Sequence, residues 1–136
     1  MDPPEYLVLI PLLEEVLGYI NKLIPNNTRL LKEAIDTFDI PYIEHKIKNN
    51  VMEPSDVRDI MLYTISIIKK LQSASDDKAT NEWEDSILQS FNSEPLNKIL
   101  IDFFKICFEK FENILKEATA VRNSELLNQI REVKNT

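Results

Sequence analysis

The stretch from Leu96 to Leu115, LNKILIDFFKICFEKFENIL, decides the fold class. Its polar side chains recur at a period near 3.5 residues and form one stripe, which is the pattern of an α-helix. The remaining positions are mostly apolar, and they include Leu96, Ile99, Leu100, Phe103, Phe104, Cys107, Phe108, Phe111, Ile114 and Leu115. Such a wide apolar arc predicts a central helix covered on most sides, or one covered on two sides with a third left for a partner.

The rest of the chain also shows helical spacing. Apolar residues recur every three or four positions in further segments, the clearest of which opens at Pro54 with Asp56 in its first turn. No segment shows sustained period-two alternation, and a single glycine, Gly18, is too few for the turns of an all-β fold. We predict an all-α fold with one domain over residues 1–136, a compact bundle of six or seven helices around a buried central helix.

Several boundaries follow from prolines and asparagines. A first helix is expected to open at Pro3-Pro4 and to stop at the PNN step of residues 25–27. Pro11 interrupts it, so the segment is either kinked there or split into a short turn and a helix from about Pro11 to Leu23. A break at Asn123-Ser124 is expected before a last helix that carries Leu126, Leu127, Ile130 and Val133.

Composition excludes several functions. The net charge of −7 and the lack of a basic cluster argue against a nucleic-acid partner. The apolar run from Tyr6 to Leu13 is too short for a membrane span, and its acidic flank makes a poor signal peptide. Cys107 is the lone cysteine and can form no intramolecular disulfide. This fits a reducing compartment, and we expect a cytoplasmic protein.

The residues that could support catalysis are few. His45 is the single histidine and is interpreted as a solvated surface residue, while Cys107 lies among phenylalanines, where burial makes a thiol inert. The carboxylate pairs are adjacent in sequence, so they do not share a helix face. The chain contains no Glu-x-x-His motif, no glycine-rich phosphate loop and no calcium-loop spacing. We therefore expect no catalytic residue, no metal site and no cofactor, and the protein is predicted not to be an enzyme.

The middle of the chain resembles the T-complex protein 11 family. The segment LIPNNTRLLKEAIDTFDI (residues 23–40) is similar to the family's Leu-Leu-Pro-like step and the short helix after it, with matches at Leu23, Pro25, Arg29, Leu30, Glu33 and Asp39. IIKKLQSASDD matches a later segment through Leu71 and Asp77, and FFKICFEKFENI looks like the helix that follows. Gln72, Ala74 and Asp76 replace the family's usual Cys, Pro and Arg. The resemblance implies a non-enzymatic regulatory or scaffolding protein.

A second resemblance is to viral Bcl-2-like proteins. It rests on the number of helices, the buried central helix and the step WEDS, from Trp83 to Ser86. The Asn-Trp-Gly-Arg signature of the apoptotic members is absent, since the chain reads NEWED there. This resemblance implies binding of amphipathic helices or of signalling adaptors in a surface groove. A helical structural or assembly subunit is the remaining alternative.

The candidate site is a surface near the fifth and sixth helices. Trp83, the only tryptophan, begins the fifth helix and is either a core residue with its indole N–H bonded to a loop carbonyl, or an interface residue. The sixth helix has more apolar surface than one neighbour can cover, so a groove is expected, rimmed by Glu84, Asp85 and Lys105. Alternatively, the first and last helices close over it. The candidate partner-binding residues are Trp83, Ile87, Phe91, Phe104 and Phe108. We predict a protein partner, bound as an amphipathic helix.

Overall fold

A computed structural model of the chain describes residues 6–24 and 28–134, and all regular structure in these residues is helical. The α-helices are α1 (Leu9–Leu23), α2 (Arg29–Phe38), α3 (Ile40–Lys48), α4 (Pro54–Leu71), α5 (Asp77–Ser90) and α6 (Leu96–Lys134). Short 3-10 turns at Tyr6–Val8 and Ala74–Asp76 precede α1 and α5. The prediction of an all-α bundle is confirmed. The expected helix start at Pro3-Pro4 and stop at residues 25–27 lie outside the described residues.

The helices enclose one cluster of buried apolar side chains to which all six contribute. The first half of α6 is the central element, because it packs against α1, α4 and α5. Its Phe103 and Phe111 are among the largest fully buried side chains. α1 also packs against α2 and α3. The apolar arc of α6 is therefore covered mainly by three helices.

Pro11 does not kink the first helix. It lies in the first turn of α1, where a backbone N–H would have no carbonyl to bond within the helix. The chain therefore makes a 3-10 turn and then one continuous helix, which is the second of the two arrangements expected from the sequence.

A capping box fixes the start of α4. The backbone N–H of Glu53 donates to Asp56 Oδ2 at 2.9 Å, and the Glu53 side chain accepts from the backbone of Asp56 in return. Lys46 of α3 adds an ion pair, with its Nζ 3.1 Å from Asp56 Oδ2. The Glu53 hydrogen bond, followed by Lys46, lowers the pKa of Asp56. This one carboxylate therefore joins the end of α3 to the start of α4.

α6 does not break at Asn123-Ser124, so the expected boundary there is wrong. Asparagine and serine only weakly disfavour a helix, and neither glycine nor proline occurs between Leu96 and Lys134. Every side chain from residue 116 to residue 131 is exposed. We call residues 116–134 the C-terminal extension; at 1.5 Å per residue it is about 28 Å long. Leu126, Leu127 and Ile130, expected on a last helix of the bundle, lie on it.

Helical spacing predicts that Ile35 of α2 and Leu88 of α5 face the core with the other apolar residues of their helices, but both side chains are exposed. Ile35 of α2 is 52% exposed and Leu88 of α5 is 38% exposed. Each lies at the edge of its helix's apolar arc, beyond the width that the neighbouring helices cover. Within residues 6–24 and 28–134, no helix is both long and apolar enough to cross a membrane.

Candidate functional site

A cleft of about 430 Å³ lies between α5 and α6. Its apolar lining comes from both helices: Trp83 and Ile87 of α5, and Ile99, Phe103 and Ile106 of α6. Polar side chains complete the lining, namely Ser86, Ser90, Glu94, Asp102, Lys105 and Glu109. This α5–α6 cleft therefore combines apolar walls with three carboxylates and one ammonium group.

Trp83 forms one wall of the cleft and is held there by stacking. Its ring lies on that of Phe103, with the centroids 5.2 Å apart and the planes at 11°. Lys110 Nζ lies 5.4 Å from the centroid of the indole, within the range of a cation–π contact. The indole N–H donates no hydrogen bond to any residue that the structure describes. The expected bond to a loop carbonyl is therefore not found, and ring contacts fix the orientation of Trp83.

A buried polar contact anchors the start of α5 beneath Trp83. Thr80 is fully buried, and its hydroxyl donates to Gln72 Oε1 at 2.8 Å and accepts from Lys110 Nζ at 3.2 Å. One turn further along, Lys69 of α4 forms an ion pair with Glu84 at 3.2 Å. These contacts join α5 to α4 and to α6. The α5 wall of the cleft is therefore held in place by contacts within the bundle.

The structure divides the five candidate residues between different surfaces. Trp83 and Ile87 line the α5–α6 cleft. Phe91 caps the end of α5 and is half-buried against the core. Phe104 is buried between Phe103 and Phe108, and Phe108 is half-buried beside Tyr19 of α1, with the centroids 6.0 Å apart.

The α6 side of the cleft is built from residues that sequence reasoning passed over. Ile99, Phe103 and Ile106 are spaced four and three apart, which places them on one helix face, and Phe104 lies about 100° further round. The sequence shows this spacing of Ile99, Phe103 and Ile106, but it does not show which face of α6 is covered by α5. Among the residues expected to form the rim of the groove, Lys105 lines the cleft, and Glu84 forms an ion pair with Lys69.

A shallower surface lies on the other side of Lys105. Phe108, Glu112 and Lys116 contribute to it, and Tyr19 of α1 donates a hydrogen bond from its hydroxyl to Glu112. This bond raises the pKa of Tyr19 to about 12, with burial as the second cause. Tyr19 also stacks on Phe111, so α1 covers this side of α6. The first helix therefore closes over Phe111 but leaves the α5–α6 cleft open.

The groups that could support catalysis lie apart. His45 is exposed on α3, where Asn49 contacts its ring. Cys107 is fully buried, and burial raises the pKa of its thiol far above the usual value. No three His, Cys, Asp or Glu side chains of the described residues are grouped so that they could hold a metal ion.

Comparison with protein-family models, with curated proteins and with solved structures found no match to this chain. The resemblances to the T-complex protein 11 family and to viral Bcl-2-like proteins therefore rest on the sequence patterns alone.

Proposed function

We propose that the protein is a non-enzymatic protein–protein interaction module that binds an amphipathic helix with basic flanking residues in the α5–α6 cleft. The observation that carries this proposal is the pairing of apolar walls, Trp83, Ile87 and Phe103, with the acidic side chains Glu94 and Asp102. A helix presents apolar anchors at three- and four-residue spacing, and such anchors suit a narrow apolar cleft.

The charge of the site supports a basic partner. The α5–α6 cleft has three carboxylates and one lysine along its lining, on a chain with net charge −7. Complementary charge increases the rate of association and excludes acidic partners. The volume of about 430 Å³ accommodates a few anchor side chains rather than a whole helix, so the rest of the partner would lie on the surface of α5 and α6.

The cellular role belongs to the same proposal. The resemblance to the T-complex protein 11 family favours a regulatory or scaffolding adaptor in the cytoplasm. The resemblance to viral Bcl-2-like proteins favours a modulator that binds amphipathic helices or signalling adaptors of a host. The second role uses a surface groove, and the α5–α6 cleft would serve either role as a site for a protein partner.

The test uses the only tryptophan as the reporter. A synthetic helical peptide with leucines at three- and four-residue spacing and lysines elsewhere is titrated into the protein, and Trp83 emission is followed. Binding in the cleft alters the surroundings of the indole and gives a saturable change. A peptide with glutamate in place of lysine is expected to give none.

Two matched variants separate the cleft from non-specific attraction. Asp102→Lys combined with Glu109→Lys reverses two exposed charges of the cleft and should weaken binding at least about tenfold. Asp36→Lys combined with Asp59→Lys makes the same change in net charge on exposed sites of α2 and α4, and should reduce binding far less. Equal losses in both variants would refute the assignment of the cleft.

A further inference from the structure

The indole N–H of Trp83 is a hydrogen-bond donor that the bundle leaves unused. Trp83 is only 9% exposed, and a buried tryptophan usually finds an acceptor for its N–H. Here no residue that the structure describes accepts from it. Among the same residues, the Tyr63 hydroxyl alone is both fully enclosed and without a well-formed hydrogen bond, so the unpaired Trp83 nitrogen is open to solvent. Trp83 lines the α5–α6 cleft, and its N–H is therefore available there.

The packing holds the indole in one orientation. Its ring stacks on Phe103, with the centroids 5.2 Å apart, and Lys110 Nζ lies 5.4 Å from its centroid. Lys110 is itself held, since its Nζ donates to the buried hydroxyl of Thr80 at 3.2 Å. These contacts fix the plane of the indole and with it the direction of the N–H. A donor that is already oriented loses little entropy when it binds an acceptor.

The charges of the cleft select the kind of acceptor. Its lining has three carboxylates, those of Glu94, Asp102 and Glu109, and one ammonium group, that of Lys105. This excess of negative charge disfavours an acidic side chain on a partner, so a neutral acceptor is favoured. Main-chain carbonyls within a helix are already bonded, so the acceptor on a bound helix is a side chain. The amide carbonyl of glutamine or asparagine has this chemistry.

We propose that Trp83 determines the specificity of the α5–α6 cleft by donating its indole N–H to a side-chain amide carbonyl of the bound helix. This inference rests on the proposed function, because it concerns the same cleft and the same class of partner. It adds that one position among the partner's apolar anchors is glutamine or asparagine. An apolar residue at that position would exclude water from the N–H without replacing it as acceptor, which lowers affinity.

The first experiment measures the affinity of labelled helical peptides by fluorescence anisotropy. Each apolar position of the lysine–leucine peptide is replaced in turn by glutamine, or by methionine, which is similar in length but has no carbonyl. At one position the glutamine peptide should bind at least about fivefold more tightly than the methionine peptide. Trp83→Phe keeps an aromatic ring without the N–H, so this preference should disappear in that variant. Circular dichroism checks that its bundle is intact.

The second experiment needs no variant and decides the matter if Trp83→Phe does not fold. Trp83 is the only tryptophan, so the protein gives a single indole N–H signal in a heteronuclear NMR spectrum. The preferred glutamine peptide should move this signal downfield and slow its exchange with deuterium oxide, because a hydrogen-bonded N–H exchanges slowly. The matching methionine peptide should move the signal far less.

The outcomes separate this inference from the proposed function. If no peptide of the series binds the wild-type protein, both are wrong. If the peptides bind but no position prefers glutamine, the cleft binds helices without this hydrogen bond and only the inference about Trp83 is wrong. A glutamine preference that persists in Trp83→Phe overturns the inference, since another group of the cleft would then be the donor. An indole signal that the glutamine peptide leaves unchanged also overturns it.

Discussion

Phe111→Ala tests whether α1 truly closes the bundle over α6. The Phe111 ring is fully buried and stacks on Tyr19, with the centroids 5.5 Å apart and the planes at 6°. Truncating a buried phenylalanine costs about 3–5 kcal/mol of unfolding free energy. A domain of this size loses about 3–4 °C of melting temperature per kcal/mol, so Tm should fall by roughly 10–20 °C.

The assay is urea denaturation followed by circular dichroism. The midpoint should fall while the slope with urea stays constant, which shows that stability rather than compactness changed. Phe108→Ala removes a half-buried ring three residues away and should cost about half as much. Ile130→Ala removes an exposed side chain and should change stability by less than about 0.5 kcal/mol. A cost below about 1 kcal/mol for Phe111→Ala, or an equal cost for Phe108→Ala, would show that α1 does not cover α6 as described.

Four further outcomes are expected. Gly18→Ala should stabilise the chain by about 1 kcal/mol in urea, because Gly18 lies within α1 and an added Cβ would meet nothing within 4 Å. Tyr63→Phe should change stability by less than about 1 kcal/mol, since the buried Tyr63 hydroxyl makes no well-formed hydrogen bond among the described residues although Thr37 and Glu33 lie near enough to affect its pKa; a larger loss would show that one of them bonds it. Cys107 should react with a thiol reagent only after denaturation, and fast labelling of the folded chain would contradict its burial. The pKa of Asp56 is lowered in the folded state, so the stability that Asp56 contributes is present above its unfolded pKa near 3.8 and is lost as pH falls through its folded pKa. Asp56→Asn should therefore reduce the fall of the urea midpoint at acid pH. An unchanged fall in that variant would contradict the contribution of Asp56.

The sequence predicted the features that depend on local signals. Helical spacing and the scarcity of glycine indicated the all-α fold, and Pro54 with Asp56 marked the start of α4 where the structure has it. The helix boundary predicted at Asn123-Ser124 is wrong, because weak helix formers do not end a helix that contains neither proline nor glycine.

Features that depend on distant parts of the chain could not be predicted in the same way. The two sides of α6 look alike in sequence, and only the packing shows that α5 takes the face of Phe103 while α1 takes that of Phe111. Tyr19 and Glu112, which meet across α1 and α6, are 93 residues apart. The sequence therefore predicts Trp83 and Ile87 beside Phe104 and Phe108, whereas in the structure they line a cleft with Phe103.

Because α6 is continuous, its two halves of about equal length move together as one rigid helix, and only the first half is packed in the core. Phe103, Phe104 and Phe111 hold one half of this helix, and the other half projects about 28 Å from it. A tilt of α6 by 10° about its buried half would move the free end of the helix by about 5 Å. That displacement is much larger than the shift of the phenylalanine rings in the buried half. A binding event in the α5–α6 cleft that displaced Phe103 slightly would therefore be amplified at the tip of α6, where a label could detect it.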